Sequence, residues 1–430
     1  MAKLEAEAIY EKKYSRRVVI PGSGDRKSYK IYIPRENSPI LNSLQSFSLT
    51  SPRIYRQCQP WLWRKLQFPT SLPAQMSLWT EHILPRQGTH VHSLSVGFSP
   101  MRGGSPYNEY TENDPFYDNR TLDFAYDRKE LISAKNAKLL IERCPNISAL
   151  TILCGYVDND LGRTESSLLD VVSMLSSLQQ FRHLKVIAGG FQIKLMNEFA
   201  LKAVSSLPLL ETLMCGGAKA PGNQQKLGYG SFGLSLSKLK SLSRLHLYQF
   251  EDMNDKWRLF NWPKTLTHLT LQQCGALLPS SVCQIIPHIA PHLTYLELDL
   301  AYEKFDDAWH VDQSWDPQSS LILPFLTNLK LSTRNAFLLL NFRDCKSLRY
   351  LQWTYRTLTH CQSLNEILFK AYWPHLGKID IAPCFYLHPL HEFGSTAYED
   401  QLATLEKNCK QASIEVTIHS RPLVEIQILE

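Results

Sequence analysis

The sequence predicts an α/β repeat solenoid, a curved parallel sheet with helices on its outer side, preceded by a small helical segment. Three observations carry that prediction. A short motif, apolar-x-x-Leu-x-apolar, recurs through the last two-thirds of the chain; segments with helical spacing of apolar residues fall between its copies; and 430 residues exceed what one closed core usually holds.

The clearest copies are Leu242-Ser-Arg-Leu245-His-Leu247, Leu266-Thr-His-Leu269-Thr-Leu271, Leu293-Thr-Tyr-Leu296-Glu-Leu298 and Leu326-Thr-Asn-Leu329-Lys-Leu331. Looser copies run from Val91 to Val96, Ile147 to Ile152, Phe181 to Val186, Leu210 to Cys215, Leu348 to Trp353 and Leu376 to Ile381. Leu-x-Leu alternation sends two apolar side chains to one face of a strand, and the earlier Leu reaches the same interior from the incoming turn. One such strand cannot bury its face alone; parallel copies stacked side by side can.

The last residues of successive copies are 56, 34, 29, 32, 24, 27, 33, 22 and 28 residues apart. These intervals leave room for return segments, and helical spacing is read over 168–178, 196–207, 280–289, 335–343, 364–372 and 399–411, with Ser363 and Asn335 as expected N-caps. The interval of 56 holds an insertion at 101–120, rich in Gly, Pro, Asn, Asp and Tyr. At the far end, Ile414 to Ile418 and Leu423 to Ile428 alternate around Ser420-Arg421-Pro422 and are expected to cap the array over 412–430.

On these motifs the chain resembles the leucine-rich-repeat family over roughly 88–420, within a repeat domain expected to span 88–430 with its cap. The family's Asn ladder, which follows each strand and ties turns together, is missing; Gly216, Gln273, Asp299 and Ala382 stand near that place. The resemblance implies a protein-binding receptor whose open sheet face holds its partner. The residues beside and between the core leucines form three columns on that face. The first is Arg244, His268, Tyr295, Asn328 and Tyr350; the second His246, Thr270, Glu297, Lys330 and Gln352; the third Tyr248, Gln272, Asp299, Ser332 and Thr354, with Lys378 and Asp380 one repeat further on. Tyrosine, histidine and mixed charge suit recognition of an unknown protein partner.

A second resemblance lies upstream. Residues 41–70 read as two short amphipathic helices around a proline-containing break. Ser51-Pro-Arg53-Ile54-Tyr55 followed by Pro60-Trp-Leu62-Trp63-Arg-Lys-Leu66 is similar to the second half of an F-box. That family docks on the Skp-type adaptor of a cullin ubiquitin ligase, which implies adaptor contacts through Leu44, Phe47, Leu49, Arg53, Pro60, Leu62 and Trp63. The first half departs from the pattern. Ile33-Pro34-Arg35-Glu36 is followed at once by Asn37-Ser38-Pro39, and proline at 39 disfavours helix at 38. The same residues also suit a plain cap over the first repeat, which leaves a repeat scaffold without a ligase role as the alternative.

Composition limits what else the chain does. Of the Lys and Arg residues, nine lie in the basic tail 1–40 against five Asp and Glu, leaving 37 cations against 35 anions elsewhere. That balance is too even for a nucleic-acid surface. The start Met1 to Glu7 has no apolar secretory region and no run of 18 apolar residues occurs, so a cytoplasmic or nuclear protein without membrane contact is expected. Scattered cysteines such as Cys154, Cys215 and Cys274 read as buried thiols. Pro21 to Ser28 completes no phosphate-loop motif, and Cys384, His388 and His391 lack zinc-ligand spacing. No catalytic residue, metal or cofactor is expected.

Overall fold

The computed structural model describes residues 47–68, 76–98, 134–154, 171–188, 196–216, 231–248, 250, 253, 255–272, 274, 277, 279–300, 316, 319–333, 336–355, 358–383 and 396–419. Among the described residues twelve strands form one sheet in chain order: β1 (Lys65–Phe68), β2 (Ser93–Phe98), β3 (Ala149–Cys154), β4 (His183–Ala188), β5 (Thr212–Gly216), β6 (Arg244–Tyr248), β7 (His268–Gln272), β8 (Tyr295–Asp299), β9 (Asn328–Ser332), β10 (Tyr350–Tyr355), β11 (Lys378–Pro383) and β12 (Glu415–Ile418). Every neighbouring pair is parallel. A parallel pair needs a crossover, and here each crossover advances the chain by one strand.

Register locks the leucines into rows. Leu94, Leu150, Leu184, Leu213, Leu245, Leu269, Leu296, Leu329, Leu351 and Ile379 pair strand to strand, and Val96, Ile152, Val186, Cys215, Leu247, Leu271, Leu298, Leu331, Trp353 and Ile381 form the next row. Both rows are buried in one continuous apolar cluster. The return segments cover the leucine side: α1 (Pro52–Leu62), α2 (Ala134–Glu142), α3 (Met196–Ser206), α4 (Ser231–Ser237), α5 (Pro279–Ile289), α6 (Leu358–Phe369) and α7 (Thr396–Gln411). The interval between β6 and β7 has no long helix. A 3-10 turn, Asp255–Leu259, instead inserts Trp257 among Phe232, Phe250 and Trp262, and the Trp262 indole donates to the Trp257 carbonyl at 2.8 Å.

The tie between repeats sits at the strand entry, where the motif carries Ser or Thr. Ser243 Oγ donates to the carbonyl of Glu211 (3.1 Å), Thr267 to Ser243 (3.3 Å), Thr294 to Thr267 (3.1 Å) and Thr327 to Thr294 (3.0 Å). The backbone N–H groups of each entry residue and the one after it bond the same carbonyl, as Thr294 and Tyr295 do on Thr267 at 2.8 and 3.1 Å. Hydroxyl and amide donors thus do at the entry what an Asn ladder would do after the strand.

Several expectations change. The sheet begins at Lys65, upstream of residue 88, because Lys65–Phe68 pairs with β2. Of the expected pair of helices in 41–70, the second is α1; residues 47 and 48 ahead of it are helical too, and 41–46 lie outside the described residues. Ser51 caps α1 by accepting from the Ile54 N–H at 3.2 Å, Pro52 opens it, and Pro60 sits in its last turn. Leu62, Trp63 and Leu66 have helical spacing, yet Leu66 and Phe68 alternate as strand residues once register with β2 decides between the two periods. Ser363 lies inside α6, which starts at Leu358, and not at its N-terminus, and the segment after β9 is a 3-10 helix, Ala336–Phe342. The helices α2 and α4, with few strong apolar repeats, were not expected. Asn335, the 101–120 insertion, residues 1–40 and 423–428 lie outside the described residues.

Cys215, Cys274 and Cys345 are buried, and burial pushes their thiols up to about 12. No disulfide joins the described residues. No helix among them is long and apolar enough to cross a membrane.

Candidate functional site

Alternation places the residues between the leucines on the sheet face opposite the helices. The expected columns hold in register. Arg244, His268, Tyr295, Asn328, Tyr350 and Lys378 pair along one line, and His246, Thr270, Glu297, Lys330, Gln352 and Asp380 along the next. Tyr248, Gln272, Asp299, Ser332 and Thr354 form the third.

Within those columns the side chains are not equivalent. Glu297 is only 8% exposed, and it is held by two hydrogen bonds: Gln272 Nε2 donates to Oε1 at 2.6 Å and the Tyr295 hydroxyl to Oε2 at 2.5 Å. Thr270 is equally buried, so these two expected contact residues offer a partner almost no area. Glu297 instead holds its neighbours Gln272 and Tyr295 in place. His268 stacks on the Tyr295 ring with centroids 5.7 Å apart and planes 19° from parallel, and the Lys330 ammonium stands 5.8 Å from the same centroid. Three repeats are thereby joined around one tyrosine. A second such joint lies at β10 and β11, where the Tyr350 hydroxyl donates to Asp380 Oδ2 at 2.7 Å and Lys378 pairs with Asp380 and Glu415 at 3.8 and 3.4 Å. Tyrosines fixed in this way lose little rotamer freedom when a partner covers them.

The middle of the second column carries two bases in unfavourable surroundings. Burial lowers Lys185, on β4, to about 8. Burial, helped by the Lys185 charge and opposed by a side-chain hydrogen bond to Gln272, lowers His246 to about 4. His246 Nε2 is buried without a hydrogen-bond partner. His183 and His268 are also lowered, mainly by burial and in part by the Arg244 charge.

The His246 shift sets a sign for the pH dependence of stability. The imidazole protonates near 6.5 in the unfolded chain and near 4 when folded, so the native state binds fewer protons between those values. Stability from the neutral ring is complete above pH 6.5 and is lost as pH falls from there through 4. At pH 5 the loss is on the order of 2 kcal/mol. Thermal melting between pH 7 and 5 should show a steeper fall for the native chain than for His246→Gln; parallel curves would remove His246 as the cause. Lys185 acts in another window, where stability rises as pH increases from about 8 toward 10.5.

At the N-terminal edge, Cys58 of α1 is buried, and Trp63 packs against the core edge-on to Trp79, with ring centroids 6.3 Å apart. Trp63 therefore faces the solenoid. Phe47 (51% exposed), Leu49 (66%) and Trp61 (55%) form the outward apolar set, with the Arg64 guanidinium 5.8 Å from the Trp61 ring centroid. Arg53 and Pro60 are exposed, Leu62 is half-buried, and Leu44 lies outside the described residues. Sequence reasoning passed over Trp61, which lies at the last turn of α1 and is exposed although it follows the buried Cys58 by three residues.

Among the described residues no group of three or more His, Cys, Asp or Glu is placed to hold a metal ion; Cys384, His388 and His391 lie outside them. Strand register, leucine rows and return segments on one side define a leucine-rich-repeat solenoid whose second sheet face carries no return helix among the described residues. No family model matches the chain, and no curated protein does. Among solved structures it is similar to the leucine-rich repeat-containing protein LegL7 from Legionella pneumophila, with 14% identity and a TM-score of 0.41, over 80% of this chain and 98% of that one.

Proposed function

We propose that this chain is a protein-binding receptor which holds its partner on the open sheet face, and that α1 and the residues before it attach it to the Skp-type adaptor of a cullin ubiquitin ligase. The observation that supports the receptor role is the open face itself. It is wide, polar and braced by the Tyr295 to Glu297 and Tyr350 to Asp380 bonds, so its tyrosines and charges are ordered before a partner arrives. The ligase role draws on the F-box-like residues and on the outward apolar set of Phe47, Leu49 and Trp61. A second reading, a scaffold in which this segment only caps the array, is favoured by the buried Cys58 and the inward Trp63.

Affinity capture with the full chain, followed by mass spectrometry, separates the readings. Under the ligase reading the adaptor and a cullin are recovered, and Leu49→Asp with Trp61→Asp, both at exposed positions, removes them while other partners stay bound. Recovery of partners without adaptor or cullin leaves the scaffold. For the receptor role, Lys330→Glu with Lys378→Glu should reduce partner capture at least about tenfold, as expected for reversed charges inside a recognition surface. Undiminished capture by that folded double variant removes the sheet face as the site.

A further inference from the structure

The open face is divided by charge, and the division falls between β7 and β8. From β1 to β7 the two outward columns carry Lys65, Lys185 and Arg244 and neither Asp nor Glu. From β8 to β12 the same columns carry Glu297, Asp380 and Glu415. The cations of the second half, Lys330 and Lys378, rest on the Tyr295 ring and on Asp380 and Glu415. Lys185 and Arg244 differ: no carboxylate of the described residues lies within ion-pair distance of either. The nearby acid Glu211 is 3.6 Å from Arg182.

We propose that the β4 to β6 part of the face binds an acidic segment of the partner protein, an extended peptide whose Asp or Glu carboxylates sit on Lys185 and Arg244. This rests on the receptor reading above and names the chemistry of what is held. His246 lies in the same column as Lys185, two strands away and beside Arg244 on its own strand, with its Nε2 buried and without a hydrogen-bond partner. Two cations without a carboxylate partner among the described residues, on a partly desolvated face, gain more from a carboxylate than from water, because the local dielectric is lower.

Geometry fixes the spacing. Lys185 and Arg244 stand two strands apart and one pleat repeat out of line, about 12 Å between backbones, which an extended chain spans in three or four residues. The same geometry disfavours a nucleic acid. Three cations across seven strands cover roughly 29 Å, over which a strand presents a phosphate every ~3.4 Å, and the acidic half next door repels a longer polyanion.

The test is fluorescence anisotropy with the full chain at about 50 mM salt, where screening is weak. The probe is a labelled twelve-residue Gly/Ser peptide carrying Asp at every third position. Comparison probes are the same peptide with Asn for Asp, the same with Lys for Asp, and a twelve-nucleotide RNA. The Asp peptide should bind at least about tenfold more tightly than the Asn and Lys peptides, and that preference should disappear with Lys185→Glu and Arg244→Glu. Lys185→Met, which deletes the charge from a half-buried site without adding another, is the second variant should Lys185→Glu fail to fold.

Equal binding of the Asp and Asn peptides, affinity unchanged by these substitutions, or tighter binding of the RNA would each overturn the proposal. The receptor reading is judged separately. If the Asp peptide fails but Lys330→Glu with Lys378→Glu still abolishes partner capture, the acidic-segment inference falls alone. If neither pair of substitutions affects capture, the receptor reading falls with it.

Discussion

Replacing Leu296 by alanine is expected to lower the free energy of unfolding by about 2–5 kcal/mol, among the largest single losses in the molecule. Leu296 is fully buried in β8, an interior strand of the array, in register with Leu269 on one side and Leu329 on the other, and the deleted methyl groups leave a cavity between them. A stacked array has no alternative interior to collapse into, so the loss is local in space. Each repeat leans on its two neighbours alone. Native-state hydrogen exchange should show β7, β8 and β9 losing protection first while β2 and β3 keep theirs. The matched control is Leu259→Ala, a leucine 76% exposed, for which a change within about 0.5 kcal/mol is expected. Equal effects for the two substitutions in urea unfolding would mean that Leu296 does not belong to a shared interior.

The leucine rows were legible because each motif repeats the same two-residue period, and a one-residue slip in any strand would send its leucines into water. That constraint also made the outward columns legible, since fixing Leu269 and Leu296 fixes Thr270 and Glu297 between them and their neighbours. What could not be read was how deep those outward residues lie. Glu297 is buried because Tyr295 and Gln272 close over it, and that depends on side chains two residues and one strand away. The first strand was hidden for another reason. With no upstream motif leucine, Leu66 and Phe68 offer only one period of alternation, and Leu62, Trp63 and Leu66 compete with a helical reading. The charge division was written in the columns but needed β1 to β5 placed in register with the later strands, where the looser motifs give weaker alignment.

Gly88→Ala is expected to be the other severe substitution, and the backbone alone would suggest the opposite sign. Gly88 has φ −61° and ψ −25°, ordinary helical values, so alanine adds no torsional strain and should stabilise by about 0.4–1 kcal/mol through the unfolded state. The obstacle is contact. A Cβ at residue 88 would overlap the carbonyl oxygen of Arg143, with the carbonyl carbon at 3.0 Å. That peptide follows α2 in the next unit, and the Arg143 N–H is bonded to Leu139 at 3.1 Å, so relief requires moving backbone and prying β2 and its return segment from the following repeat. Overpacking of this kind costs about 1–3 kcal/mol and occasionally more, and with rigid atoms on both sides the upper end is expected. Two other glycines calibrate the argument. At Gly233 the added carbon would lie 2.8 Å from the Trp257 indole, a side chain hemmed in by Phe232, Phe250 and Trp262, and an intermediate loss follows. At Gly377 the nearest such atom is the Arg349 carbonyl oxygen at 3.9 Å, an ordinary contact, and alanine there should be nearly neutral. Chemical denaturation of the three variants should rank them Gly88, Gly233, Gly377 in order of damage; a stabilised Gly88→Ala would mean that the turn before β2 and the end of α2 do not meet as closely as their shared burial requires.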